Sequence, residues 1–246
     1  MFNSPQLDPL VLRHPERIHP ALWKASQLAQ SQRPTLSTGF KQLDSQLPGG
    51  GWPIGSLIEI TLERPGIGEI ALLRPALAQL GTQRGIMLVQ PPHPPNFHCL
   101  SNWGLHAHRL LWVQPGNLAD SLWACDQALK HNACAALLCW APGSHPQALR
   151  RLHLAARQSD TLLIMLRPSI YSRQPCAAPL RLNLQPAAQG VQVFITKRNG
   201  PVCEHAIPIV LHSPRAYSSI GASHVSLDQS SSAFSQSRRR FSVLAH

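Results

Sequence analysis

A strand-like run from Ser56 to Leu62 leads into Arg64-Pro65-Gly66-Ile67-Gly68-Glu69-Ile70 and then into an apolar-periodic helix. Strand, glycine-rich turn, helix is the geometry of a phosphate-binding loop, whose pattern is G-x-x-x-x-G-K-[ST]. In that pattern backbone N–H groups and the helix N-terminus cradle phosphate. The Lys reaches the outer phosphoryl oxygens, and the Ser or Thr holds magnesium. Aligned on Gly68, this chain has Glu63 at the first Gly, Glu69 at the Lys and Ile70 at the Ser/Thr. A unit charge pair about 4 Å apart is worth roughly 4 kcal/mol at an effective dielectric near 20. With a carboxylate in place of the ammonium, that term repels a triphosphate instead of attracting it. Ile70 has no atom that ligates magnesium. Pro65, Gly66, Gly68, Glu69 and Ile70 therefore read as a loop that keeps its shape without its ligand. A plain tight turn is the simpler reading, and both exclude ATP chemistry, so no cofactor is expected.

Other chemistry is sparsely supplied. The 246 residues hold 22 Lys and Arg against 11 Asp and Glu, a formal net charge of +11. Eleven carboxylates leave few candidates for acid–base work or hard-metal binding. The basic excess favours a partner rich in phosphates, or an acidic protein. Cys99, Cys125, Cys134, Cys139, Cys176 and Cys203 form no C-x-x-C pair and no zinc spacing, so reduced core thiols are expected. His93, His98, His106 and His108 cluster in a loop-rich stretch without a carboxylate, the pattern of surface histidines. No G-x-S-x-G or comparable nucleophile motif is present, and no enzyme is expected. No run of 18 apolar residues suggests a membrane span, and Met1 to Arg17 lacks an apolar signal core; a cytoplasmic protein is the expectation.

The elements that would position these residues follow a strand–helix rhythm. Strands are expected at 56–62, 85–90, 110–114, 135–140 and 162–166. Helices are expected at 68–80, 96–103, 118–130 and 146–157. Continuous apolar strands alternating with helices predict an α/β fold, a mainly parallel twisted sheet flanked by helices. Leu180 to Gln185 and Val191 to Lys197 alternate instead, predicting a C-terminal antiparallel hairpin on one sheet edge. Residues 1–33 read as an N-terminal arm and a helix opened by His19-Pro20, and 34–212 as the core. Residues 213–246 read as a Ser-rich basic tail, with nine serines between 218 and 237 followed by Arg238-Arg239-Arg240, a composition that predicts disorder.

The segments flanking the loop carry a likeness. Ser37-Thr38-Gly39-Phe40-x-x-Leu43-Asp44-x-x-Leu47, then Gly49-Gly50-Gly51-x-Pro53-x-Gly55-x-Leu57-x-Glu59-Ile60, resembles the start of the RecA-type recombinase core. Pro65-Gly66-Ile67-Gly68 resembles the same loop in RadA-like members. The resemblance implies a RecA-like core in which further catalytic positions are gone. By that resemblance the magnesium-organising Asp falls near Trp140 and the catalytic Glu near Pro92, which implies a pseudo-ATPase. Within the superfamily the pattern is most similar to the ImuA family. The carrying residues are Leu47-Pro48-Gly49-Gly50-Gly51-Trp52-Pro53, Arg64 to Glu69, Ala71-Leu72-Leu73-Arg74-Pro75-Ala76-Leu77-Ala78 and Pro91-Pro92-His93. Further on come Ala119 to Ala124, Ala148 to Ala156, Leu166-Arg167-Pro168 and Ile195-x-Lys197-Arg198-x-Gly200. The likeness spans roughly residues 14 to 200.

The ImuA resemblance implies a non-catalytic adaptor in SOS DNA-damage tolerance. Its implied partners are the polymerase-like ImuB protein and an error-prone replicative-type polymerase, with the RecA recombinase and single-stranded DNA as further candidates. SulA, the SOS inhibitor of cell division, has a similar core and is the alternative. It lacks the Ser37-to-Trp52 segment. Candidate DNA contacts are Arg150, Arg151 and Arg157 on one helix and Arg167, Arg173 and Arg181 around the 168–180 loop. Lys197, Arg198, Arg238, Arg239 and Arg240 complete the set. For the helix group a solvated face is an equal reading. Trp23, with Leu22 and Leu28, is the candidate partner contact. The remaining tryptophans are expected mostly in the core.

Overall fold

The computed structural model describes residues 34–80, 84–200, 203 and 205–211. The expected N-terminal helix with Leu22, Trp23 and Leu28 lies outside the described residues, as does the tail with Arg238, Arg239 and Arg240. Thr35–Leu36 (β1) pairs antiparallel with Trp52–Pro53 (β2), and the one-turn helix Lys41–Asp44 (α1) falls between them. The main sheet then alternates with helices: Ser56–Leu62 (β3), Glu69–Leu80 (α2), Ile86–Val89 (β4), Phe97–Asn102 (α3), Leu110–Val113 (β5), Leu118–Lys130 (α4), Ala136–Trp140 (β6), Pro146–Ala156 (α5) and Leu162–Pro168 (β7). Leu180–Ala187 (β8), Gly190–Lys197 (β9) and Ile207–Val210 (β10) close the chain of strands.

The sheet order is β10-β9-β8-β3-β7-β6-β4-β5. Every pair from β8 to β5 is parallel, and β8, β9 and β10 are antiparallel. This is the α/β architecture the rhythm predicts. Alternate residues of the central strands feed two cores. Ile58, Ile60, Leu138 and Ile164 join α1 and α2 on one face, and Leu57, Leu137, Leu163 and Met165 join α4 and α5 on the other. A parallel sheet covered on both faces needs such two-sided apolar strands. The hairpin differs. Leu182, Leu184, Val191 and Val193 face the first core, while Gln185 and Gln192 face water.

Three expectations change. The hairpin does not end the sheet, because β10 adds outside β9. Its sequence Ile-Pro-Ile-Val hides it, since Pro208 removes a ladder donor and suits only an edge. β5 is the opposite edge rather than a strand buried on both faces, leaving Leu111 56% exposed. Trp112 on that edge and Trp123 on the outer side of α4 are likewise exposed instead of packed; Trp52 and Trp140 are core residues.

The Ser37–Trp52 segment is built into the core. Asp44 accepts from Ser37 Oγ (2.7 Å) and from the Thr38 N–H (2.8 Å), and Thr38 Oγ1 accepts from the Phe40 N–H. Gly39 has φ +83° and lies against α2, where a Cβ would come within 2.5 Å of Pro75 Cβ. Pro75 leaves α2 unbroken. Leu43 and Trp52 are fully buried beneath.

Candidate functional site

The loop between β3 and α2 sits at the C-terminal end of the parallel strands, where α/β folds place ligands. Its backbone takes the shape the glycines foretell, with φ +86° at Gly66 and +122° at Gly68. The positive φ is what selects glycine at Gly68, since the atom a Cβ would meet at 2.5 Å, Leu211 Cδ1, is the movable tip of a side chain. Glu69, the first residue of α2, is 3% exposed, and its carboxylate folds back into the loop. The Gly66 N–H donates to Oε1 at 2.8 Å and to Oε2 at 3.1 Å, and the Gly68 N–H donates to Oε2 at 3.2 Å. The donors that would cradle a phosphate are therefore occupied by the chain's own anion. The positive end of the α2 dipole favours that charge too. Ile70 packs against the core beside it.

Next to the loop lies a cavity of about 260 Å³ between α2, α3, β4 and the end of β6. Apolar side chains dominate its wall, with Glu69, His93 and Asn96 as polar exceptions. Pro92 and Trp140, the positions at which the RecA resemblance implies carboxylates, both line it.

The basic candidates do not converge. Arg150, Arg151 and Arg157 are exposed around α5, with Arg151 Nε 3.8 Å from Asp126. Arg173 is exposed in the turn after β7. Lys197 is exposed and donates to the Cys176 carbonyl at 3.2 Å. Arg167 must be withdrawn as a DNA contact. It is 2% exposed, its Nη1 donates to Glu59 Oε1 at 2.6 Å, its Nη2 donates to the Ser144 carbonyl, and it stacks on Tyr171. Arg181 is withdrawn for the same reason, since its Nε binds the other oxygen of Glu59. One fully buried carboxylate needs counter-charge, and two arginines supply it. Arg198 is half-buried and donates to the Gln46 carbonyl, which ties the end of β9 to the segment after α1.

Among the described residues no activated nucleophile stands out. All six cysteines are free thiols. Burial pushes Cys134 up to about 12, and a hydrogen bond with Cys139 together with burial raises Cys125. Burial also raises Cys176. Protonated thiols of this kind are poor nucleophiles. His106 and His108 stack on each other at 5.6 Å, and among the described residues no three His, Cys, Asp or Glu side chains are placed to hold a metal. No described helix is long and apolar enough to cross a membrane.

Fold and loop together define an α/β protein whose glycine-rich turn from β3 into α2 is closed by its own side chain. No protein-family model matches the chain. The chain is 28% identical over 98 residues to the cell division inhibitor SulA of Edwardsiella piscicida, a stretch covering 39% of this chain and 58% of that protein. The chain thus spans somewhat over half the length of this curated relative. The crystal structure of SulA from Pseudomonas aeruginosa aligns at a TM-score of 0.39 and 23% identity, over 45% of this chain and 97% of that one. The sequence likeness supports a relationship to SulA and does not single out ImuA.

Proposed function

We propose that this chain is a non-catalytic binding protein of the SOS DNA-damage response, acting by occupying a protein target rather than by turning over nucleotide. The observation that carries the non-catalytic reading is the Glu69 carboxylate seated on the Gly66 and Gly68 N–H groups. An anion fixed there repels the phosphate it replaces.

For the target, the similarity to SulA favours an inhibitor of cell division that binds the division-ring protein. A second reading is the translesion adaptor, working with a polymerase-like ImuB protein and an error-prone replicative-type polymerase, with RecA or single-stranded DNA as further partners. The Ser37–Trp52 segment favours it. That segment belongs to the ImuA-like pattern, and here it is an integral part of the core on α2.

Affinity capture with the full chain from DNA-damaged cells, at two salt concentrations and read by mass spectrometry, separates the two. Recovery of the division-ring protein supports the inhibitor, and recovery of the polymerases supports the adaptor. Recovery of neither, or ATP hydrolysis by the purified chain, overturns the reading.

A further inference from the structure

Two large apolar side chains stand in water on the outer side of the α4–α5 pair. Trp123 on α4 is 62% exposed and Leu154 on α5 is 51% exposed. A contact between the two helices lies between them. Asp126, one turn after Trp123, is approached by Arg151 Nε at 3.8 Å, and Arg151 precedes Leu154 by one turn. Cations frame the pair. Arg150 and Arg157 lie about one turn either side of Leu154, and Lys130 lies two turns beyond Trp123; with Arg151, all four are exposed. Helix α5 contains no Asp or Glu. Of the two acids on α4, Asp126 is buried between Lys130 and Arg151, and Asp120 is held by Asn117 at the helix start.

Charge narrows what can cover this face. Trp and Arg are the side chains that most often carry the energy of protein interfaces, and the surplus of cations selects an acidic occupant. The chain itself supplies none. Residues 1–33 hold four Lys and Arg against two Asp and Glu, and residues 212–246 hold four against one. A second copy would bring a like-charged chain of net charge +11. Single-stranded DNA has the right charge, but Trp123 is the only Trp, Tyr or Phe of the two helices, and Leu154 gives a base no ring to stack on. We propose that the outer α4–α5 face is a docking site for an acidic amphipathic segment of a partner protein. Its apolar side chains cover Trp123 and Leu154, and its carboxylates meet the four cations around them. The face is solvated in the free chain and closed in the complex. The inference rests on the reading of the chain as a binder of a protein target, and names the surface that meets it.

The probe is a fluorescein-labelled peptide of about 15 residues, rich in Glu and with Leu at helical spacing, titrated with the full chain and read by anisotropy. Saturable binding is expected. Trp123→Ala combined with Leu154→Ala should weaken it about tenfold or more, and so should Arg150→Glu combined with Arg157→Glu. All four positions are exposed, so urea unfolding of these variants should match wild type. Alanine at Arg238, Arg239 and Arg240 removes basic charge elsewhere in the chain and should change the affinity less than about twofold. The same peptide with Ser in place of Leu should bind about tenfold more weakly. No saturable binding, equal affinity for the Ser peptide, or face variants that bind like wild type overturns the proposal. So does an oligothymidylate that binds more tightly than the peptide and is released by Trp123→Ala, which would make the face a DNA site. The capture experiment separates this inference from the functional reading. A target recovered equally by wild type and by the Trp123→Ala, Leu154→Ala double variant leaves the function standing and removes this face; a target lost with the variant supports it.

Discussion

Replacing Glu69 by Ala removes the anion that closes the loop. Three contacts disappear, since the Gly66 N–H is shared between both oxygens and the Gly68 N–H serves one. Hydrogen bonds to a charged group are each worth about 1.5–3 kcal/mol net. Gly66 is exposed, so water takes over its N–H at little cost; Gly68 is half-buried and loses more. The favourable charge at the helix N-terminus adds about 0.5 kcal/mol. The expected loss is about 2–3 kcal/mol, read from urea unfolding of wild type and variant under one set of conditions. The freed N–H groups should also acquire an anion site. Millimolar pyrophosphate is expected to raise the stability of Glu69→Ala and to leave wild type unchanged. A variant within about 0.5 kcal/mol of wild type, the range of ordinary surface changes, refutes the reasoning.

Arg167→Ala leaves Glu59 buried with Arg181 as its remaining cation, and unfolding should fall by about 3 kcal/mol, the low end for a broken buried pair. Gly39→Ala puts a Cβ into Pro75 at positive φ. A loss of about 2 kcal/mol or more is expected, and a neutral result would show that the segment is not docked on α2 as described. For Arg150, Arg151 and Arg157 together replaced by Ala, the stability should change little. If α5 contacts single-stranded DNA, the slope of log affinity against log salt should shrink by about 2, since each lost phosphate contact contributes about 0.7. An unchanged slope assigns them to a solvated face. Cys134 binds its proton more tightly folded than unfolded, so its contribution is complete below about pH 9 and is lost as pH rises toward about 12. The loss should run at about 1.4 kcal/mol per pH unit in that window, and Cys134→Ala should flatten the alkaline limb of a stability profile.

The sheet is legible because parallel strands buried on both faces read as near-continuous apolar runs, as Ile86–Val89 and Ala136–Trp140 do. The edges are not, because an edge strand is defined by a neighbour it lacks. Leu110–Val113 looks as apolar as a central strand, and Ile207–Val210 is broken by a proline that an edge tolerates. At the site, the pattern of Gly66 and Gly68 announced the loop. Glu69 registered only as the loss of a lysine, when an acid at the start of a helix behind two glycines is a signal that the loop is filled from within. Arg167 and Arg181 read as candidate DNA contacts from sequence because their partner lies over a hundred residues upstream. The missed signal was Glu59 itself, a lone carboxylate in the middle of the buried run Ser56–Leu62.

With the Glu69 carboxylate seated on the Gly66 and Gly68 N–H groups, the donors by which a nucleotide would favour one conformation over another are taken. Ligand-driven switches need a ligand that binds one conformation better than another, and here the position that would make the distinction is already filled. On the proposed non-catalytic reading, a change in ATP level has no purchase on this loop. On the proposed function, what remains is dosage: the number of copies present sets how much target is engaged, and engagement ends when those copies are diluted or destroyed. On that proposal timing belongs to synthesis and turnover of the protein rather than to a chemical clock inside it.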